Sequence, residues 1–161
     1  MSKVHKLKDI HIKRKNITLD IDMRRMERNL NRAQYALDSA VMHSMEPFMP
    51  MQVGGGGFIG VTRGMSAAIA GSGKVVAAAP PYGQFLYEGK TMVDEKTGSA
   101  YARYGAKKVL VSQFGGKTNA RENLQYSKAA HPNATAHWFE EAKKKDLDEW
   151  QKVVDREMAK R

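Results

Sequence analysis

Two short glycine-containing motifs are the first candidates for chemistry in this sequence. Gly-Gly-Lys-Thr at 115–118 matches the end of a phosphate-binding loop, in which backbone N–H groups and a lysine hold phosphate oxygens. The full motif needs another glycine where Val111 stands, and no apolar helix follows. Gly-Ser-Gly-Lys at 71–74 fails as well, because an alanine-rich stretch follows where a helix should begin. We therefore predict no nucleotide site and no cofactor.

Histidines and carboxylates do not group into a metal centre or a catalytic set. His131 and His137 are six residues apart, and this spacing does not match the i, i+4 pair with which a helix holds zinc. Glu140 and Glu141 follow them, so a surface metal site is the alternative to a solvated helix start. Glu88 is the one acid inside the apolar middle, and a lone carboxylate makes no acid–base pair. We expect no metal site, no catalytic residue and no enzymatic activity.

Positive charge is concentrated in two segments. The 161 residues carry 27 Lys and Arg against 17 Asp and Glu, a formal net charge of +10. Residues 1–19 hold six of these cations against one acid, and residues 90–128 hold eight against three. Contact with nucleic acid or an acidic partner is one interpretation, and ordinary solubility is the other. The side chains that would face DNA are Lys6, Lys8, Lys13, Arg14, Lys15, Lys107 and Lys108.

Length and composition favour one domain with extended parts. We expect a basic arm at 1–21 and a single domain at 22–161 that carries a long basic excursion at 90–132. The absence of cysteine excludes disulfides and thiolate metal sites, and it favours a reducing cytoplasm. No apolar run has the length of a signal peptide or a membrane span, so we expect no contact with a membrane.

The arm and the residues after it predict strands and then a long helix. Apolar and polar residues alternate in the arm, which is typical of one or two edge strands. The apolar positions are Ile10, Ile12, Ile17, Leu19 and Ile21. Asp22 is the predicted N-cap of a helix that runs to about Met45, because apolar residues recur there at steps of three and four. Charged residues, Asp38 among them, fall on the opposite face of that helix.

The middle of the chain predicts a hairpin and then a short helix. A Gly-Ser-Gly turn at 71–73 would join strands at 65–70 and 74–79. The prolines at 80–81 end the second strand, because proline cannot donate to a sheet, and they suit the first turn of a helix. That helix covers 82–87, and Gly89 is placed to close it with a left-handed cap.

The last third predicts a polar excursion and a terminal helix. Strands are expected at 107–114 and, as a second candidate, at 123–127. The terminal helix would begin near Asn133 or Thr135. Its apolar face turns by roughly 100° at 143–146, so we expect a bend or a break there.

These elements predict an α+β fold in which a small antiparallel sheet packs against the long helix and the C-terminal helix. Large apolar side chains beside the helix ends are the candidates for core packing or for subunit interfaces. Methionine suits both uses, because its flexible thioether fills irregular gaps. The candidates are Met45, Phe48, Met49, Tyr82, Phe85, Tyr87, Trp138, Phe139 and Trp150.

Three passages occur in an order that resembles one known family. They are a long helix that ends in Met-Glu-Pro-Phe-Met-Pro at 45–50, with Gly-Phe-Ile at 57–59; the stretch 75–89; and the aromatic-rich passage at 124–143. Together they cover roughly half of the chain. The order is similar to that of the neck and tail-completion proteins of tailed bacteriophages, also described as minor capsid or head–tail joining proteins. The four-glycine run at 54–57 and the excursion at 90–122 depart from the family pattern.

The resemblance implies a structural protein of the virion. Members of this family have a small α+β protomer and form a ring, commonly sixfold or twelvefold, around the channel that DNA crosses. The implied partners are copies of the chain, a connector, adaptor or stopper protein, a tail terminator or tail tube protein, and the genomic DNA. The implied location is the neck of the virion, after assembly in the host cytoplasm.

A second function remains open from the residues alone. A protein that binds nucleic acid independently of sequence would use the basic segments 1–19 and 90–128.

Overall fold

A computed structural model describes residues 5–51, 57–80, 83–94, 96, 108–111, 113–115, 120–122 and 124–160. Its helices are α1 (Arg24–Met45), α2 (Gly57–Ile69), α3 (Gly83–Glu88) and α4 (Trp138–Ala159), with a 3-10 turn at Glu46–Phe48. Its strands are β1 (Ile10–Arg14), β2 (Ile17–Ile21), β3 (Thr91–Asp94), β4 (Lys108–Val111), β5 (Gln113–Gly115) and β6 (Ala120–Glu122). The predicted α+β class, with a small antiparallel sheet, a long helix after the arm and a C-terminal helix, is confirmed.

The strands pair in sequence order as three two-stranded antiparallel sheets: β1 with β2, β3 with β4, and β5 with β6. The β1–β2 hairpin confirms the strands expected in the arm. The excursion holds β4 and β5 where one strand was predicted at 107–114, and residues 107 and 112 lie outside the described part of the chain. The candidate strand at 123–127 is wrong for the described residues 124–127, since the strand in that region is β6.

The core lies between α1 and α4, which pack against each other along much of their length. It contains the buried side chains Val41, Met42, Met45, Met49, Ile59, Trp138, Ala142 and Trp150. The predicted long helix is therefore confirmed, and its C-terminal half supplies three of these residues. Its N-cap is Met23 rather than Asp22, although Asp22 Oδ1 still accepts a hydrogen bond from the Arg24 N–H at 2.8 Å.

The hairpin predicted in the middle of the chain is wrong, because residues 57–69 form α2 and residues 74–79 form no strand. Two side chains of α2 explain the second point. Ser66 Oγ donates to the Val76 carbonyl and accepts from the Val76 N–H, both at 3.0 Å, and Thr62 Oγ1 accepts from the Ala79 N–H. The backbone groups that a strand would offer to a neighbouring strand are therefore bonded to a helix instead.

The short helix and its cap are confirmed. Gly89 has φ 65°, its N–H bonds the Leu86 carbonyl, and the Lys90 N–H bonds the Phe85 carbonyl. This pair of bonds is a Schellman motif, for which the left-handed conformation of a glycine is well suited. Of the two prolines expected to end a strand, Pro80 follows an irregular segment and Pro81 lies outside the described residues.

Helix α4 begins at Trp138, later than predicted, and continues to Ala159 without the expected break at 143–146. The shift of its apolar face has another explanation. Trp138 faces the segment around Ala77 and the aromatic rings of Phe58 and Tyr87, whereas Trp150 lies against α1 and donates to Ser44 Oγ at 3.0 Å. One continuous helix therefore packs against two different surfaces.

Candidate assembly interface

The arm is tied to the first turns of α1. The N–H of His5 donates to Asn31 Oδ1 at 3.1 Å, and Asn31 Nδ2 donates back to the His5 carbonyl at 2.9 Å. Asp9 Oδ1 accepts from the Met23 N–H at 2.8 Å, one residue before α1 begins. Residues 5–9 therefore run antiparallel to α1, towards its N-terminus, and the β1–β2 hairpin starts at that end of the helix.

One face of the hairpin is entirely aliphatic apart from an arginine. The register opposes Ile10 to Ile21, Ile12 to Leu19, and Arg14 to Ile17. Directly opposed residues of an antiparallel pair lie on the same face, so five aliphatic side chains form a continuous surface. All five are exposed, and the exposed fraction rises from 38% at Ile21, at the base, to 70% at Ile17, next to the turn.

An apolar hairpin face of this kind needs a partner. A two-stranded hairpin is marginal by itself in water, and stability normally comes from a third strand or from packing of its apolar face on another element. A contiguous exposed apolar patch on a protein surface commonly marks an interaction site. The hairpin face is therefore the most distinctive candidate interface in the described part of the chain.

The other face and the turn of the hairpin are polar and basic. His11 opposes Asp20, and their side chains are 2.6 Å apart, while Lys13 opposes Thr18. The turn places Lys15 at φ 42° and exposes the three consecutive cations Lys13, Arg14 and Lys15. Below the hairpin, the Arg24 guanidinium beside Asp22 lowers the pKa of that carboxyl from 3.8 to about 2.

The structure assembles only some of the predicted DNA-facing cations. Lys13, Arg14 and Lys15 lie together at the hairpin turn. Lys6 and Lys8 are exposed on the segment before the hairpin, which runs alongside α1. Lys107 lies outside the described residues, and Lys108 is described only as backbone in β4.

Most of the predicted packing residues lie in or against the α1–α4 core. Met45, Met49, Trp138 and Trp150 are buried, and Phe48, Tyr87 and Phe139 are half-buried against them. Phe85 is half-buried on α3, and Tyr82 lies outside the described residues. Met45, Met49 and Trp138 are fully buried in the core of this protomer, so these three are not free to contact another subunit.

Trp138 connects α4 to three other parts of the fold. Its indole N–H donates to the Ala77 carbonyl at 2.8 Å, and its ring makes edge contacts with Phe58 and Tyr87 at centroid distances of 5.9 and 4.8 Å. The Tyr87 hydroxyl in turn donates to Glu140 Oε2 at 2.6 Å. Desolvation, reinforced by this carboxylate, raises the pKa of Tyr87 well above its ordinary value of 10.0.

A shallow, largely apolar groove lined by α1 and α4 runs beside the core. Its volume is about 650 Å³. Its apolar lining is Leu37 and Val41 from α1 and Phe139, Leu147, Trp150 and Val154 from α4. Leu147 is exposed, so the groove is a second apolar surface that the protomer leaves open.

Asp38, placed on the solvent-facing side of α1 by the sequence analysis, is buried, and that prediction is wrong. Its Oδ2 accepts from the N–H groups of Gly71 and Gly73 at 2.8 and 3.1 Å, and its Oδ1 accepts from Gln34 Nε2 at 2.8 Å. The turn after α2 therefore folds over the polar side of α1 and uses this carboxylate as its anchor. A helical projection cannot show this, because it does not tell which side a distant loop covers.

Replacing Asp38 with alanine is expected to lower the free energy of unfolding by about 3 kcal/mol, because two backbone N–H groups lose a charged acceptor inside the fold. Urea unfolding followed by circular dichroism measures the change. Asp20→Ala is the matched control, since Asp20 is an exposed aspartate and should cost no more than about 0.5 kcal/mol. Equal losses in the two variants would show that the Asp38 contacts do not stabilise the fold.

The described residues show no group of three His, Cys, Asp or Glu side chains that could hold a metal ion. His131, one of the two candidate ligands, bonds the Met49 carbonyl through Nδ1 at 2.8 Å, and Glu140 is bonded to Tyr87. Among the helices in the described ranges, none has the length and apolar character needed to cross a bilayer.

Comparison of the chain with protein-family models, with curated proteins and with solved structures finds no match.

Proposed function

We propose that this chain is a structural protein of a tailed-bacteriophage particle and that it forms a ring at the head–tail junction. The observation that carries the proposal is the β1–β2 hairpin, which is anchored to α1 at its base and exposes five aliphatic side chains on one face. A protomer built in this way exposes apolar surface that contact with another subunit would bury.

The resemblance to neck and tail-completion proteins supports the same function. The long helix ending in a proline-containing turn, the short helix closed by Gly89 and the aromatic-rich terminal helix occur in the order typical of that family. The chain departs from the family where the family's sheet begins, because residues 57–69 form the helix α2 here. The proposal therefore depends on the arm and on these three elements.

In the proposed assembly the chain contacts copies of itself in a sixfold or twelvefold ring. The ring would lie in the neck of the virion, between a connector, adaptor or stopper protein and a tail terminator or tail tube protein. Genomic DNA would pass through its channel. Head-to-tail contacts between identical subunits close into a ring when the rotation between neighbours divides the circle.

Cryo-electron microscopy of purified particles of a phage whose genome encodes this chain tests the proposal. We expect density for a ring of the chain between head and tail, and particles made without the chain should accumulate as filled heads separate from tails. Purified particles that lack the chain, together with normal joining when it is absent, would contradict the proposal.

Sequence-independent binding of nucleic acid is the second candidate function, and the cluster of exposed cations at the hairpin turn favours it. Changing Lys13, Arg14 and Lys15 together to alanine should weaken DNA binding and reduce the slope of log K against log salt by about 2 to 3, because three phosphate contacts are lost. Fluorescence anisotropy with a duplex at several salt concentrations measures this.

The matched control changes Lys143, Lys144 and Lys145 to alanine, which removes the same charge from α4. If the control lowers the affinity and the slope as much as the hairpin variant does, binding depends on net charge alone and the hairpin is not the DNA site.

A further inference from the structure

We propose that the apolar face of the β1–β2 hairpin of one copy docks in the α1–α4 groove of a neighbouring copy. The inference rests on the proposed function in so far as it requires the chain to self-associate. It goes beyond that function by naming the two surfaces that meet.

The first argument is that both surfaces are apolar, open and on the same protomer. The hairpin offers five exposed aliphatic side chains, and six of the nine residues that line the groove are aliphatic or aromatic, the exposed Leu147 among them. Each surface would remain in water in an isolated protomer. If the hairpin of each subunit docks in the groove of the next, an open row of subunits ends with one free hairpin and one free groove. Both of these surfaces are buried when the row closes into a ring.

The second argument is that the dimensions agree. Five residues of extended chain make a hairpin about 17 Å long. The groove follows α4 from Phe139 to Asp155, which is about 24 Å of helix. The hairpin therefore fits along the groove without extending past its ends.

The third argument is that the hairpin of the same chain is held away from the groove. Residues 5–9 run towards the N-terminus of α1 and fix the base of the hairpin beside Met23. Leu37 and Val41 lie roughly 20 to 25 Å along α1 from that end. With its base fixed beside Met23, a hairpin about 17 Å long would fall short of its own Leu37 and Val41, so the occupant is the hairpin of another copy.

Charge indicates how the hairpin lies in the groove. Two charged side chains line the groove, Lys143 near the N-terminal end of α4 and Asp155 near its C-terminal end. The basic turn of the incoming hairpin is therefore attracted towards Asp155 and repelled by Lys143.

The natural chain contains no cysteine, so single-cysteine variants give an unambiguous test by cross-linking. Tagged chains with Leu19→Cys are mixed with untagged chains with Leu147→Cys and treated with a short bismaleimide reagent. Because each chain carries one thiol, a product of mixed size reports a contact between copies. We expect this product in about tenfold greater yield than with Thr18→Cys, which lies on the polar face of the same strand.

Three results would overturn the inference. The first is an equal yield from Thr18→Cys. The second is a predominance of products that join two Leu19→Cys chains, because the hairpins would then pair with each other. The third is a predominance of products between Leu19→Cys and Val61→Cys, which would place the hairpin on the exposed face of α2.

The same experiment separates this inference from the proposed function. If the Leu19–Leu147 product forms in chains that never enter a phage particle, hairpin docking is supported and the neck function is not. If chains enter particles and the product does not form there, docking is wrong and the neck function is unaffected.

Discussion

Replacing Trp138 with alanine is expected to lower the free energy of unfolding by about 4 kcal/mol, the largest loss among the single substitutions considered. The indole is fully buried, donates to the Ala77 carbonyl and lies between Phe58 and Tyr87. Its removal opens a cavity where α2, α3, α4 and the segment around Ala77 meet, and it leaves a backbone carbonyl without its donor. Urea unfolding followed by circular dichroism of the purified chain measures the loss.

Two further variants separate the contributions. Trp138→Phe keeps most of the ring and removes only the donor, so it should cost about 1 to 2 kcal/mol. Leu147→Ala is the matched control on the same helix, because its side chain is exposed, and it should cost no more than about 0.5 kcal/mol in a dilute protomer. A loss from Trp138→Ala no greater than that of the control would contradict the described core.

Placing two acids on the apolar face of the hairpin, with Ile12→Asp and Leu19→Asp, is expected to weaken self-association by at least about 100-fold, since each buried aliphatic side chain contributes about 1.5 kcal/mol. These two residues oppose each other at the centre of the face. Both are exposed in the protomer, so the fold itself should be unaffected. Sedimentation velocity over a range of concentrations measures association, and circular dichroism checks the fold.

The control for this experiment adds the same two charges elsewhere on the hairpin. Asn16→Asp lies in the turn and Thr18→Asp on the polar face, so this pair should reduce association by less than about tenfold, through charge alone. Association that falls equally in both variants, or that persists with Ile12→Asp and Leu19→Asp, would exclude the apolar face as the contact surface.

Local rules predicted the parts of the fold that local interactions determine. The period of apolar residues in α1, the alternation in the arm and the suitability of Gly89 for a left-handed cap are properties of neighbouring residues. The α+β class and the large side chains of the core, such as Trp138 and Trp150, followed from these patterns.

The incorrect predictions concern residues whose structure depends on contacts with segments distant in the sequence. Residues 57–79 contain small residues in an order compatible with either strand or helix. Residues 57–69 form α2, and its Thr62 and Ser66 side chains bond the backbone of the returning segment in place of a neighbouring strand. Asp38 lies on the polar side of α1, and it is buried because the turn at 71–73 crosses that side. Propensity and periodicity do not include such contacts.

The candidate interface was only partly accessible to sequence reasoning. The alternation predicted the strands of the arm, and the basic residues at its turn were identified. The continuous apolar face depends on the register that opposes Ile12 to Leu19, and the groove depends on how α1 packs against α4. The register of β1 against β2 depends on the turn at Lys15. The positive φ of this residue is uncommon outside glycine and asparagine, so the sequence gives no clear signal for the turn.

Hydrogen–deuterium exchange of residues 10–21, compared between dilute protomers and the assembled chain, tests most directly the claim that a neighbouring copy covers the apolar face of the hairpin. We predict fast exchange in the protomer, where the hairpin has no cover for its apolar face, and much slower exchange after assembly. Slow exchange already present in a monomer, or fast exchange that persists in the assembled chain, would contradict the account.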